Sequence, residues 1–178
     1  MPTMRAATYD HEGPAIEVLQ VREVDRPDAG PGEVLVRVAV SAINPTDVKT
    51  RAGVTPRPIA GFQVPHMDGS GVIEAVGDGV STTRIGERVW LLTAAVDNLW
   101  GTAAEYCVVP AERARRLPDA VSFEVGATLG CRPSRRRTAC SATGPLPGAA
   151  CWSPAAPARW AVPRSSSRTG PVPGWRRP

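Results

Sequence analysis

The chain has 178 residues, with 21 Lys and Arg against 17 Asp and Glu. That is room for one ordinary domain with its own core. The average apolar content excludes a wholly disordered or fibrous chain, and no apolar run reaches the roughly 18 residues a membrane helix needs. The first residues, Met1-Pro2-Thr3-Met4-Arg5, lack the apolar stretch of a secretory signal, so a cytoplasmic location is expected.

The net charge of +4 hides a division. Residues 131–178 hold nine Arg and no Asp, Glu or Lys. Residues 1–130 therefore keep 12 basic groups against 17 acidic ones, a net of −5. Three of the four Cys (131, 140, 151) and three of the five Trp (152, 160, 175) also fall in the basic segment.

In chain order, Arg5 to Tyr9 is a short β-prone start, and Leu19 to Val24 alternates again. Pro27, Gly30, Pro31 and Gly32 break the chain. Glu33 to Ile43 is the clearest strand, with Val34, Val36, Val38 and Val40 on one face and Leu35, Arg37 and Ala39 on the other. Asn44 suits an N-cap and Pro45 the first helical position, which predicts a short helix over Pro45 to Arg51, ended by Gly53. A Pro-rich crossing follows. Gly69-Ser70-Gly71 opens a strand over Val72 to Val76, closed by Gly77-Asp78-Gly79, and Asp68 reads as a turn residue. Further strands are predicted over Val89 to Thr93 and Ala103 to Val109. Ser122 caps a short helix running to Leu129, with Glu124 in its first turn. Short strands joined by Gly/Pro turns point to a small barrel or sandwich.

Six motifs in this order carry a family resemblance: Gly32-Glu33-Val34-Leu35-Val36, Ser41-Ala42-Ile43-Asn44-Pro45-Thr46-Asp47, the run from Pro65 through Gly77, Ile85-Gly86-Glu87-Arg88-Val89-Trp90, Gly101-Thr102-Ala103-Ala104-Glu105-Tyr106, and Leu117-Pro118-Asp119. The segment 1–130 resembles the N-terminal, GroES-like domain of medium-chain dehydrogenases/reductases. It is most similar to the zinc-free branch of NADPH:quinone oxidoreductases, the zeta-crystallin type. The resemblance implies a mainly β fold, a partly open barrel with short helices. It also implies hydride transfer from NADPH to a small-molecule quinone or enone; no specific nucleic acid and no membrane are expected as partners, and the oligomeric state is left open. In that family the residue matching Asn44 lies near the nicotinamide. Asp47 falls in the same helix, and Lys49 replaces an aromatic neighbour; Asn44, Asp47 and Lys49 are thus the candidate cofactor-binding residues. The bland alternative is an ordinary helix start, with Asn44 capping and Asp47 on the dipole.

Zinc wants thiolate, imidazole and carboxylate ligands in a tetrahedral set. The zinc-dependent branch carries a Cys near Asn44 and Gly-His-Glu where Met67-Asp68-Gly69 stands, and this chain has neither. His66 lies outside the matching position, and Cys107 is the only Cys before residue 131. No metal site is expected, Cys107 reads as a small buried hydrophobe, and no residue is singled out as catalytic. Gly69 and Gly71 read as packing glycines.

The family continues into a Rossmann domain whose Gly-rich turn binds the pyrophosphate. Residues 131–178 hold no G-x-G-x-x-G and no sustained periodicity, and their Arg, Pro, Ala, Ser and Gly predict a disordered tail. Shifting the reading frame changes this. With G- and C-rich codons, Ala150 to Ser153 reads Val-Leu-Val. Ser153 to Arg168 continues as Ala-Gly-Gly-Ala-Gly-Ala-Val-Gly-Arg-Ala-Ala-Ile-Gln-Leu-Ala, a strand, a Gly-rich turn and a helix. The expectation is an out-of-frame coenzyme domain and a chain that is inactive alone. The competing expectation is a non-catalytic barrel module whose basic tail binds anions.

Overall fold

A computed structural model describes residues 2–130. The expected tail over 131–178 lies outside the described residues. The observed class is mainly β, a curled, partly open barrel with short helices, as expected.

Two sheets make the frame. Strands β1 (Thr3–Thr8) and β2 (Gln20–Asp25) pair antiparallel as a ribbon, with a one-turn helix α1 (Ala15–Val18) between them. The second sheet takes β3 (Glu33–Ala42), β4 (Asp68–Val76), β5 (Arg88–Leu91), β6 (Tyr106–Pro110) and β7 (Ala114–Arg116), in the spatial order β6-β3-β4-β5-β7. Every neighbouring pair in it is antiparallel. Helix α2 (Pro45–Arg51) leaves the end of β3, and α3 (Phe123–Ala127) packs across β3, β4 and β5.

The core follows from the apolar alternation of these strands. Val34, Val36, Ile73, Val89, Leu91, Cys107 and Val109 form one buried cluster, with Val38 and Trp100 packed against it. The simple two-face reading of β3 needs correcting. Leu35 is as buried as its neighbours, while Val38 and Val40 are only half-buried. The register explains this. It shifts between Leu35 and Val36 and again between Val38 and Val40, and such irregularities re-aim side chains and increase strand coiling.

β4 begins at Asp68, earlier than predicted, because its glycines pair rather than turn. Gly71 faces Val38 and Gly69 faces Ser41 across β3. A Cβ on Gly71 would run into the Arg37 carbonyl, and one on Gly69 into the Val40 carbonyl and the Thr102 side chain. They are packing glycines, needed because two backbones approach closely. Asp68 is correspondingly a buried strand residue and not a turn residue. β5 stops at Leu91, since Thr93 takes a left-handed backbone, and β6 starts only at Tyr106. α1 and β7 carry no clear pattern in the sequence.

The predicted helices form where expected. α2 spans Pro45–Arg51, with Asn44 and Asp47 in a capping box and Gly53 in the left-handed region just beyond. α3 starts at Phe123, capped by Ser122, whose Oγ accepts from the Val125 N–H, and ends two residues before Leu129. Ser70 Oγ donates to the Phe123 carbonyl at 2.6 Å, and the Arg88 guanidinium lies 4.4 Å from the centre of the Phe123 ring. The same guanidinium donates to the carbonyls of Pro118, Asp119 and Val121.

Candidate functional site

Helix α2 and the segment leading into β4 line one small, shallow pocket that is open to solvent. Tyr9, Asp47, Thr50, Arg57, His66 and Met67 are among its lining residues.

Asp47 is buried on the inner side of α2, only 7 % exposed. Its Oδ2 accepts from the Asn44 N–H at 2.7 Å, and the Met67 backbone also donates to the carboxylate. Burial outweighs these bonds. Together with the negative field of Asp68, it pushes the Asp47 carboxyl up to about 6. Arg57 opposes that shift and donates to the Ala95 carbonyl at 3.3 Å. Burial also raises the Tyr9 phenol.

Asn44 turns its side-chain amide to Asp68, donating to Oδ2 at 2.9 Å. This ties the start of α2 to the start of β4. Asn44 and Asp47 therefore come together at one helix start, through the capping box. Lys49 does not join them: it is exposed on the same helix and does not line the pocket.

The sequence reading missed His66, Ser41 and Thr102. Ser41 Oγ lies 2.9 Å from His66 Nδ1 and 2.8 Å from Thr102 Oγ1, and Thr102 donates to the Asp68 carbonyl at 2.6 Å. Burial lowers the His66 imidazole, favouring its neutral form. The His66 backbone has φ of 75°, unusual for a residue with a Cβ. Ser41 and Thr102 stand inside the quoted motifs, but only folding brings residues 41, 66 and 102 together.

Among the described residues no group of three or more His, Cys, Asp or Glu side chains could hold a metal ion. Cys107 is fully buried in β6, as expected, with Sγ donating to the Trp100 carbonyl at 3.1 Å. Burial pushes its thiol well above the usual range, which makes it unreactive. No helix among the described residues is long and apolar enough to cross a membrane.

A model of the alcohol dehydrogenase GroES-like domain matches residues 30–119, half of the chain. The chain belongs to that family. The chain is 33% identical over 153 residues to an alcohol dehydrogenase of Geobacillus stearothermophilus, covering 73% of this chain and 45% of that one. It is 33% identical over 119 residues to a quinone oxidoreductase of Sus scrofa, covering 66% of this chain and 34% of that one. A mycobacterial protein solved in complex with NADPH has the same fold, with a TM-score of 0.68, 28% identity, and coverage of 80% of this chain and 41% of that one. The chain thus spans less than half the length of these relatives. The expected membership of the medium-chain dehydrogenases/reductases, through their N-terminal domain, is borne out.

The described GroES-like domain does not fit a whole dinucleotide. A pyrophosphate cradle in this superfamily is a parallel βαβ unit with a Gly-rich turn, whereas every described strand pair is antiparallel.

Proposed function

We propose that residues 1–130 are the acceptor-side domain of a zinc-independent, NADPH-dependent quinone or enone oxidoreductase acting in the cytoplasm. The observation that carries this reading is the pocket under α2, on a chain one-third identical to a quinone oxidoreductase. NADPH would supply a hydride when bound by a coenzyme domain. The described residues do the rest. Asn44 and Asp47 fix the rim of the pocket, and Lys49 lies outside it, free to meet a coenzyme anion. A quinone accepts hydride without a Lewis acid, which suits a pocket built without a metal set.

In this reading residues 131–178 are the coenzyme domain translated out of frame, and the chain as written does not turn over. The test is to sequence the gene across codons 125–178 and to express both frames. The shifted frame is expected to encode the Gly-rich turn and to oxidise NADPH in the presence of a small quinone, while the chain as written does not. Stop codons in the shifted frame, or turnover by the chain as written, overturn the frame argument. Absence of quinone-dependent turnover in both frames leaves the barrel as an interaction module with a basic, anion-binding tail.

A further inference from the structure

The hydrogen bonds around His66 have a direction. A hydroxyl carries one proton, and a carbonyl oxygen carries none. Thr102 spends its proton on the Asp68 carbonyl at 2.6 Å. Ser41 must then donate to Thr102 across 2.8 Å. Having spent its own proton, Ser41 can only accept from His66, across 2.9 Å. The proton on His66 therefore sits on Nδ1, and in the neutral ring Nε2 holds a bare lone pair.

Nε2 has no partner among the described residues, and it is not sealed from solvent. His66 lines the pocket beside Asp47, Thr50 and Tyr9. Its backbone is held in place by the Thr102 N–H, which donates to the His66 carbonyl at 2.9 Å. A side chain at a left-handed position carries a conformational cost, and such costs concentrate where a group must be aimed. The Asp47 carboxylate, which lines the same pocket, already accepts from the Asn44 N–H. A metal ion would need further ligands, and no such set exists among the described residues.

We propose that His66 Nε2 is the pocket's acceptor for a ligand hydroxyl, so that the site selects phenol- and hydroquinone-type O–H groups over bare carbonyls. This rests on the reading above only for the claim that the pocket holds the quinone/hydroquinone pair, of which Nε2 engages the reduced, hydroxyl-bearing member. An acceptor-only nitrogen gives nothing to a quinone carbonyl, but it accepts a hydrogen bond from the O–H of the reduced ring, whose proton stays on its oxygen. His66 would thus be a specificity-determining residue for the hydroxyl form.

The experiment is a long-range proton–nitrogen NMR correlation on the full chain, titrated with phenol and with anisole, which has no O–H. The chain has two histidines, and His11, exposed and bonded to Asp10, serves as the internal reference. At neutral pH the His66 Nε2 resonance should be that of an unprotonated nitrogen, and Ser41→Ala should bring a protonated Nε2 into the mixture. Phenol should shift Nε2 of His66 and leave His11 alone, while anisole should shift neither. In His66→Gly, which keeps a left-handed backbone at ease, phenol binding read on the backbone amide signals of the pocket residues Asp47, Thr50 and Met67 should weaken about tenfold. A protonated Nε2 in the free chain, equal shifts from phenol and anisole, or unchanged phenol affinity in His66→Gly would each overturn the proposal. Quinone-dependent turnover by the restored frame without the phenol effect sinks this inference alone. The phenol effect without turnover keeps it and sinks the reductase reading.

Discussion

The five-stranded sheet and the β1–β2 ribbon come from similar sequence signals and end in different environments. Both alternate, and both are bounded by Gly and Pro. In the sheet, Val34, Val36, Val89 and Leu91 are fully buried. In the ribbon, β2 is exposed almost throughout: Val21 is 76 % exposed, and Ile16 on the neighbouring turn of helix is 94 % exposed. Alternation therefore establishes a strand but not its depth. Depth is set by what packs on the faces of a strand and not by how many strands flank it: β6 has a single partner and buries Cys107 and Val109, whereas β2, also with a single partner, is exposed.

The sharpest way to break that contrast is at the point where backbones touch. Gly71→Ala places a methyl group against the Arg37 carbonyl, so β3 and β4 must separate. A loss of about 4 kcal/mol or more is expected in urea unfolding, with no soluble protein as the extreme result. Leu91→Ala keeps the backbone but opens a cavity in the core, and should cost about 3 kcal/mol by the same measurement.

Asp47 tests the boundary between sheet and site. Its carboxyl is raised to about 6 from an ordinary 3.8 by burial. An acid whose folded value exceeds its unfolded one holds its proton more tightly in the folded state. Its contribution is therefore greatest below about pH 4, and stability falls as pH rises through about 6. The fall should be about 2–3 kcal/mol. Asp47→Asn should flatten this slope in urea midpoints taken from pH 4 to pH 7, and an unchanged slope would assign it to other groups.

Smaller effects sharpen the same contrast. Ser122→Ala removes the cap of α3 and should cost about 1 kcal/mol. In the ribbon, Val21→Thr should stay within about 0.5 kcal/mol, because its side chain is already in water. A larger loss there would mean that the ribbon is covered.

Much of this fold is legible without coordinates. The dipeptide Asn44-Pro45 and the residue Ser122 mark two helix starts because capping is a local matter, settled within three residues. β3 and β6 are legible as strands from their apolar, β-branched runs, although each buries three successive residues and neither buries its side chains by simple alternation. Asp68 was misread as a turn residue because Gly69 and Gly71 look like turn punctuation. Their use against the Arg37 and Val40 carbonyls depends on a partner strand some 30 residues away in sequence. The site divides in the same manner. Asn44 and Asp47 sit on one capped turn and can be paired by reading. The Ser41, His66 and Thr102 chain spans 61 residues and shows no spacing that could betray it.

The attachment of α3 has a mechanical meaning. Its Phe123 carbonyl is bonded to Ser70 on β4, and its ring is covered by Arg88 on β5. β4 is the middle strand of the sheet, paired on both sides. A pulling force applied just beyond α3 therefore enters the barrel at its centre and not at an edge. Such a load must shear several antiparallel ladders together, whereas a load on an edge strand such as β7 would peel one ladder bond by bond. Tension transmitted through α3 should meet the domain at its stiffest point.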